Sequence, residues 1–146
     1  MLQIVRFTRY TVMTYDEETQ SFVIESPLSV PVSSKKKFML NMNDYRNAHY
    51  QVLNKAKVEY KRMLRDEILQ LPKMDKATIN YKITLGDNRI HDGMNICSVT
   101  SKFFLDALVE YGILPDDNMR YILHEEWNPH GIEKNNGKVL IYIKPL

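Results

Sequence analysis

A chain of 146 residues, 44% hydrophobic and 26% charged, is long enough to bury one core and too ordinary in composition for a disordered or fibrous protein. Cys97 is the single cysteine, which excludes an intrachain disulfide framework, and no apolar run reaches the ~20 residues that cross a bilayer. The net charge is only +2, but residues 1–90 carry an excess of five positive charges and residues 91–146 an excess of three negative ones. That division suits a part that meets phosphates beside a part that holds cations.

The opening residues MLQIVRFTRY carry charge early and lack an apolar run with a small-residue cleavage site. A secretory leader is therefore not expected, and a cytoplasmic protein is. Residues 2–13, rich in Ile, Val, Phe, Tyr and Thr, predict a strand, and Asp16–Gln20 separates it from a hairpin partner over Ser21–Glu25. Pro27 and Pro31 bracket an extended connector, since each fixes its own φ and biases its predecessor away from helix. After Lys35-Lys36-Lys37, Asn43 is placed to cap a helix from about Asp44 to Gln70. Its apolar positions Tyr45, His49, Val52, Ala56, Tyr60, Met63 and Ile68 recur at helical spacing, widened by Leu53 and Leu64. Lys55, Lys61, Arg62 and Arg65 fall outside that stripe, on a solvated or phosphate-facing side.

Ala77–Leu85 alternates apolar and polar residues and predicts a strand. Ser98–Glu110 predicts a mostly buried helix whose polar positions Lys102, Asp106 and Glu110 share one face, with Gly112 as its terminator. Met119–Leu123 predicts a short strand, Asn128–Gly137 a loop, and Lys138–Lys144 a strand apolar on both faces and so suited to a central position. The expected layout is α+β, a small mixed sheet carrying two main helices, as a single domain over residues 1–146.

Asp92 stands between the strand and the second helix, and Asp116-Asp117 follows that helix. Phosphodiester hydrolysis needs a deprotonated water and charge stabilisation on the phosphate and the leaving oxygen, which one or two Mg²⁺ ions provide. Mg²⁺ takes oxygen ligands and keeps waters, so Asp92, Asp116 and Asp117 are candidate ligands, with Lys102 available to meet a phosphate. The same aspartates are also ordinary turn formers, and Lys102 with Asp106 is an ordinary i,i+4 pair. His91, His124, His130 and Cys97 lack the spacing of a zinc site. There is no nucleophile elbow and no phosphate-binding glycine loop.

The stretch DGMNICSVTSKFFLDALVEYGILPDDN resembles the RusA family of Holliday-junction resolvases, particularly its phage and prophage forms. The family pattern is an Asp-x-Asp-Asn element, a helix with Lys and then Asp-Ala-Leu, a Gly, and a closing Asp-Asp. Asp92 and Asn95 match the first element, Lys102 the lysine, Asp106-Ala107-Leu108 the Asp-Ala-Leu, Gly112 the glycine, and Asp116-Asp117 the close. KKKFMLNMNDYRNAHYQVLNKAK is similar to the phage branch, so the likeness runs from about Pro31 onward. Two departures stand out: Met94 replaces the second Asp, and the six residues between Asn95 and Lys102 exceed the usual spacing.

The resemblance implies a homodimer that binds four-way DNA junctions and nicks opposing strands with Mg²⁺ or Mn²⁺. It implies Asp92, Asp117 and Lys102 as the catalytic set, with Asp92, Asp117 and Asp116 on the metal. Lys35, Lys36, Lys37, Arg46, Asn95 and Lys102 would meet the DNA. Because a neutral thioether does not ligate Mg²⁺, Met94 leaves two expectations standing. One is an active enzyme in which another carboxylate, such as Glu110, replaces the lost ligand. The other is a homodimer that binds branched DNA with weakened or no cleavage.

Overall fold

The computed structural model describes residues 2–8 and 11–146, with side chains from Met13 onward and at Leu2. The sheet is built around β6 (Ala77–Leu85), whose alternation sends Ala77, Ile79, Tyr81 and Ile83 into the core and Thr78, Asn80 and Lys82 to the opposite face. On one side β6 pairs antiparallel with β8 (Lys138–Pro145), placing Ile79, Tyr81 and Ile83 beside Ile143, Ile141 and Val139. On the other it pairs parallel with β7 (Ile122–Ile132). β8 continues through β3 (Ser21–Ser26), with Ile24 opposite Ile141, to β2 (Thr11–Asp16) and β1 (Leu2–Thr8). Among the described residues this gives one six-stranded mixed sheet in the order β1-β2-β3-β8-β6-β7. The last strand in the chain occupies a central place, as its two apolar faces predict.

Two helices, α2 (Tyr50–Ile68) and α3 (Gly93–Glu110), pack on the sheet, and the short α1 (Met42–Asn47), which buries no residue, lies against α3. α2 buries Ala56, Tyr60, Leu64 and Ile68 at four-residue intervals, each large one worth about 1.5–3 kcal/mol of burial. α3 contributes Phe103, Phe104 and Leu108. Phe103 stacks on Phe38 at 5.9 Å and meets Tyr60 edge-on at 5.6 Å, so the two helices and the chain before α1 share one aromatic cluster. The Tyr60 hydroxyl is fully buried, pairs with Ser26 Oγ at 2.8 Å, and is held in its neutral form by that burial. The domain is thus a small α+β layer pair, and among the described residues no helix is long and apolar enough to cross a membrane.

Four local expectations are corrected. The strand expected over residues 2–13 is two, β1 and β2, paired antiparallel with Ile4 opposite Thr14; Arg9 and Tyr10 between them lie outside the described residues. The proline-bracketed connector folds into a small hairpin of β4 (Ser29–Pro31) and β5 (Lys37–Met39). The helix expected from Asp44 to Gln70 is broken at Ala48 and His49, whose extended backbone ends α1; Asn41, not Asn43, caps α1, and the His49 ring caps α2. The strand expected at Met119–Leu123 starts at Ile122 and runs on through the supposed loop to Ile132, because an edge strand tolerates Pro129 and a kink at Gly131, φ +85°.

Candidate functional site

α3 begins five residues earlier than its apolar pattern predicts, because Asp92 caps it: backbone in the extended region, Oδ1 accepting from the Met94 N–H at 3.0 Å. Asn95 is half-buried, and its Oδ1 accepts from the Met42 N–H at 2.8 Å, tying the start of α1 to α3. Asn95, Lys102 and Asp106 recur at intervals of seven and four and share the open side of an otherwise buried helix. Lys102 is exposed, its ammonium 5.9 Å from the Tyr45 ring centre, while Met94 is 57% exposed.

Beyond α3, Asp116 and Asp117 form an exposed turn. Asp116 Oδ1 accepts from the Asp117 N–H at 2.8 Å and Oδ2 from Asn118 Nδ2 at 3.0 Å. Desolvation, followed by the hydrogen bond and negative charge of Asp116 and the charge of Asp106, raises the Asp117 carboxyl above its ordinary range. Asp117 thus stands beside Asp116 beyond the last turn of α3, with the charge of Asp106 felt from within the helix.

Asp92 lies at the other end. Asp106 lies fourteen residue steps along the helix from it, about 21 Å at 1.5 Å per residue, and Lys102 sits about 15 Å along. Mg²⁺ holds its ligands at about 2.0–2.1 Å, so within one chain Asp92 and Asp117 do not share an ion. Among the described residues no group of three or more His, Cys, Asp or Glu side chains is placed to hold a metal. Glu110 does not stand in for the acid missing at Met94, because it is on the last turn of α3 and its carboxylate meets Lys61 of α2 at 2.7 Å. The single-chain cation site expected from the motif does not fit these residues as placed.

The DNA-facing candidates separate likewise. Lys35 and Lys36 lie in the exposed turn between β4 and β5, Lys37 opens β5, and Arg46 is exposed in the last turn of α1. Lys37 lines a cleft of about 450 Å³ with Arg89 and His91, close in sequence to Asp92. No protein-family model matches this chain, and no curated protein is significantly similar to it.

Sequence reasoning did not identify the wall of this region. Asp87 accepts from the Arg89 backbone and guanidinium and meets His91 Nε2 at 2.9 Å. His91 first, then Arg89, holds the Asp87 carboxyl down at about 2. The Trp127 indole lies against Gly93 at the first turn of α3 and lines a mainly apolar cavity of about 410 Å³ with Ile83, Leu85, Ile96 and Ile132. Lower on the same interface, Tyr81 Oη and Ser101 Oγ both donate to Glu125 Oε2 at 2.7 Å. Ser101 and Glu125 are joined across 24 residues, and no local pattern announces such a pair.

Proposed function

We propose that the protein is a RusA-like, Mg²⁺-dependent, structure-specific endodeoxyribonuclease that acts as a homodimer on four-way or related branched DNA. The observation that supports it best is the use of the open side of α3. A helix that otherwise buries Ile, Val, Phe and Leu presents Asn95, Lys102 and Asp106 in the family's order, with Asp92 before it and Asp116-Asp117 after it. Lys102 supplies positive charge to a phosphate, and Lys35, Lys36, Lys37 and Arg46 supply sequence-independent attraction to the backbone. Selectivity for a branch then comes from shape more than from base contacts.

The deciding experiment incubates a synthetic four-way junction with the protein and Mg²⁺. Paired nicks on opposing strands, lost in both Asp92→Asn and Asp117→Asn, are the expected result. Equal affinity for the junction and for linear duplex, with no nicking, refutes the proposal. A second reading, a branched-DNA-binding homodimer with little or no cleavage, draws on the exposed Met94 and on the divided carboxylates. Its signature is tight junction binding without nicks in either Mg²⁺ or Mn²⁺.

A further inference from the structure

Two cavities at the N-terminal head of α3 have opposite character. The first, about 410 Å³, is mainly apolar, with the Trp127 indole as one wall and Ile83 and Ile132 as others. The second, about 450 Å³, is lined by Lys37, Arg89 and His91, with Asp87 as the acidic residue of its wall. Leu85, His91 and Ile96 line both, so the two adjoin as the apolar and cationic halves of one recess. Each half falls within the ~300–1,000 Å³ usual for small-molecule sites.

The chain builds this recess locally. Between the pairs Ile83–Pro129 and Leu85–Ile132, β7 carries one residue more than β6, a bulge that bends the strand beside the apolar half. Gly93, with no Cβ, lets the indole stand directly against the first turn of α3. In the cationic half Asp87 grips Arg89 through Nε and Nη2 and meets His91 Nε2 at 2.9 Å, which fixes both side chains on one wall. Nη1 of Arg89 stays outside that fork. One carboxylate against Lys37 and Arg89 leaves the lining positive by one charge, and by two when His91 is protonated.

Such a recess matches a molecule that is flat and apolar at one end and anionic at the other. A nucleotide is both: a base stacks on an indole whatever its identity, and its phosphate takes a guanidinium and an ammonium. A base inside a duplex has both faces covered by its neighbours, so only an unpaired one can enter the apolar half.

We infer that the recess holds one unpaired nucleotide, its base against Trp127 and its phosphate on Lys37 and Arg89. The site rests on the nuclease reading only for drawing that nucleotide from DNA, at a branch point where pairing is interrupted; a free nucleoside 5′-phosphate has the same chemistry. His91 and Gly93 flank Asp92 in the chain, so the captured nucleotide lies next to the first carboxylate of the motif.

Trp127 is the sole tryptophan and reports occupancy, since a base stacked on it quenches its emission. Emission is titrated without divalent metal, so that no strand is cut. The probes are deoxyadenosine 5′-monophosphate, deoxyadenosine, phenyl phosphate, a synthetic four-way junction and a linear duplex. The monophosphate is expected to quench and to bind about tenfold more tightly than the nucleoside, as a charged hydrogen bond provides. Arg89→Ala, at a side chain 83% exposed and therefore dispensable for folding, weakens the monophosphate about tenfold and leaves the nucleoside unchanged. The junction quenches on binding, and the duplex does not.

Quenching by the monophosphate and not by the junction upholds the recess and makes its ligand a free nucleotide. Quenching by none of the probes, equal quenching by junction and duplex, or a monophosphate bound no better than the nucleoside overturns the inference. Phenyl phosphate bound as well as the monophosphate also overturns it, in favour of an aromatic phosphate such as phosphotyrosine. Junction nicking in Mg²⁺ is scored separately. Nicks without quenching leave the nuclease reading standing and remove this site, and quenching without nicks does the reverse.

Discussion

Gly93→Ala tests how the head of α3 is held. A methyl placed on Gly93 would lie 2.3, 2.5 and 2.7 Å from Cζ3, Cη2 and Cε3 of Trp127, where carbon atoms rest at about 3.5–4.0 Å. Trp127 is 36% exposed and sits on an edge strand, so the indole has room to swing outward. Surrendering roughly 80 Å² of indole burial costs about 2 kcal/mol at 25 cal/mol/Å². Alanine's better helix propensity offsets at most about 1 kcal/mol of that. The net expectation is a loss of about 1 kcal/mol, or about 2–4 °C in Tm for a domain of this size. Trp127 is the only tryptophan, so the same sample reports the displacement as a red shift of its emission. A variant at least as stable as wild type, with unshifted emission, would refute the account. Lower stability with unchanged emission would show that α3 moves and the ring stays.

Tyr60→Phe removes the partner of a buried Ser26 hydroxyl, leaving it only the Pro27 carbonyl at 3.3 Å; urea unfolding is expected to show a loss of about 1–2 kcal/mol. Asp87, held at about 2 in the folded chain, contributes stability that is fully present above its unfolded value of about 3.9 and is lost as pH falls toward about 2. His91→Ala should raise the Asp87 midpoint in a carboxyl NMR titration, and an unmoved midpoint would show that His91 does not hold it. Burial, reinforced by the charge of Glu125, pushes the Cys97 thiol up to about 12, so a thiol reagent at pH 8 should react only at the rate of unfolding. Replacing Lys35, Lys36 and Lys37 with Ala should weaken junction binding and reduce its salt dependence by about 0.9 in log–log slope for each phosphate no longer neutralised.

Periodicity showed where the core lies. The alternation of β6, the doubly apolar β8 and the four-residue spacing of Ala56, Tyr60, Leu64 and Ile68 all carry information within a few residues. It was less informative where one residue's hydrogen bond or backbone angle sets a boundary. The extended backbone at Ala48 and His49 breaks a pattern that reads as continuous helix, and the Asp92 cap, a single side-chain hydrogen bond, starts α3 at Gly93. β7 escaped because exposed edge residues need no alternation, and its partner β6 lies some forty residues earlier. The candidate site was legible as a set of side chains and not as a place. Spacing along the sequence says that Asp92 and Asp117 flank a helix, and the start of that helix at Gly93, directly after Asp92, shows how far apart its length holds them.

The order of strands has a kinetic consequence. β8 is made after every other strand, yet β3 and β6 are joined in the sheet's middle only through it. Until residues 138–145 have been made, the β1–β3 meander and the β6-α3-β7 unit are two half-sheets with bare inner margins. Closing them is a long-range step whose loop entropy is spent before any pairing repays it, so assembly should be slow for a chain of this length. Loss of this one segment would divide the sheet at its centre instead of trimming its rim.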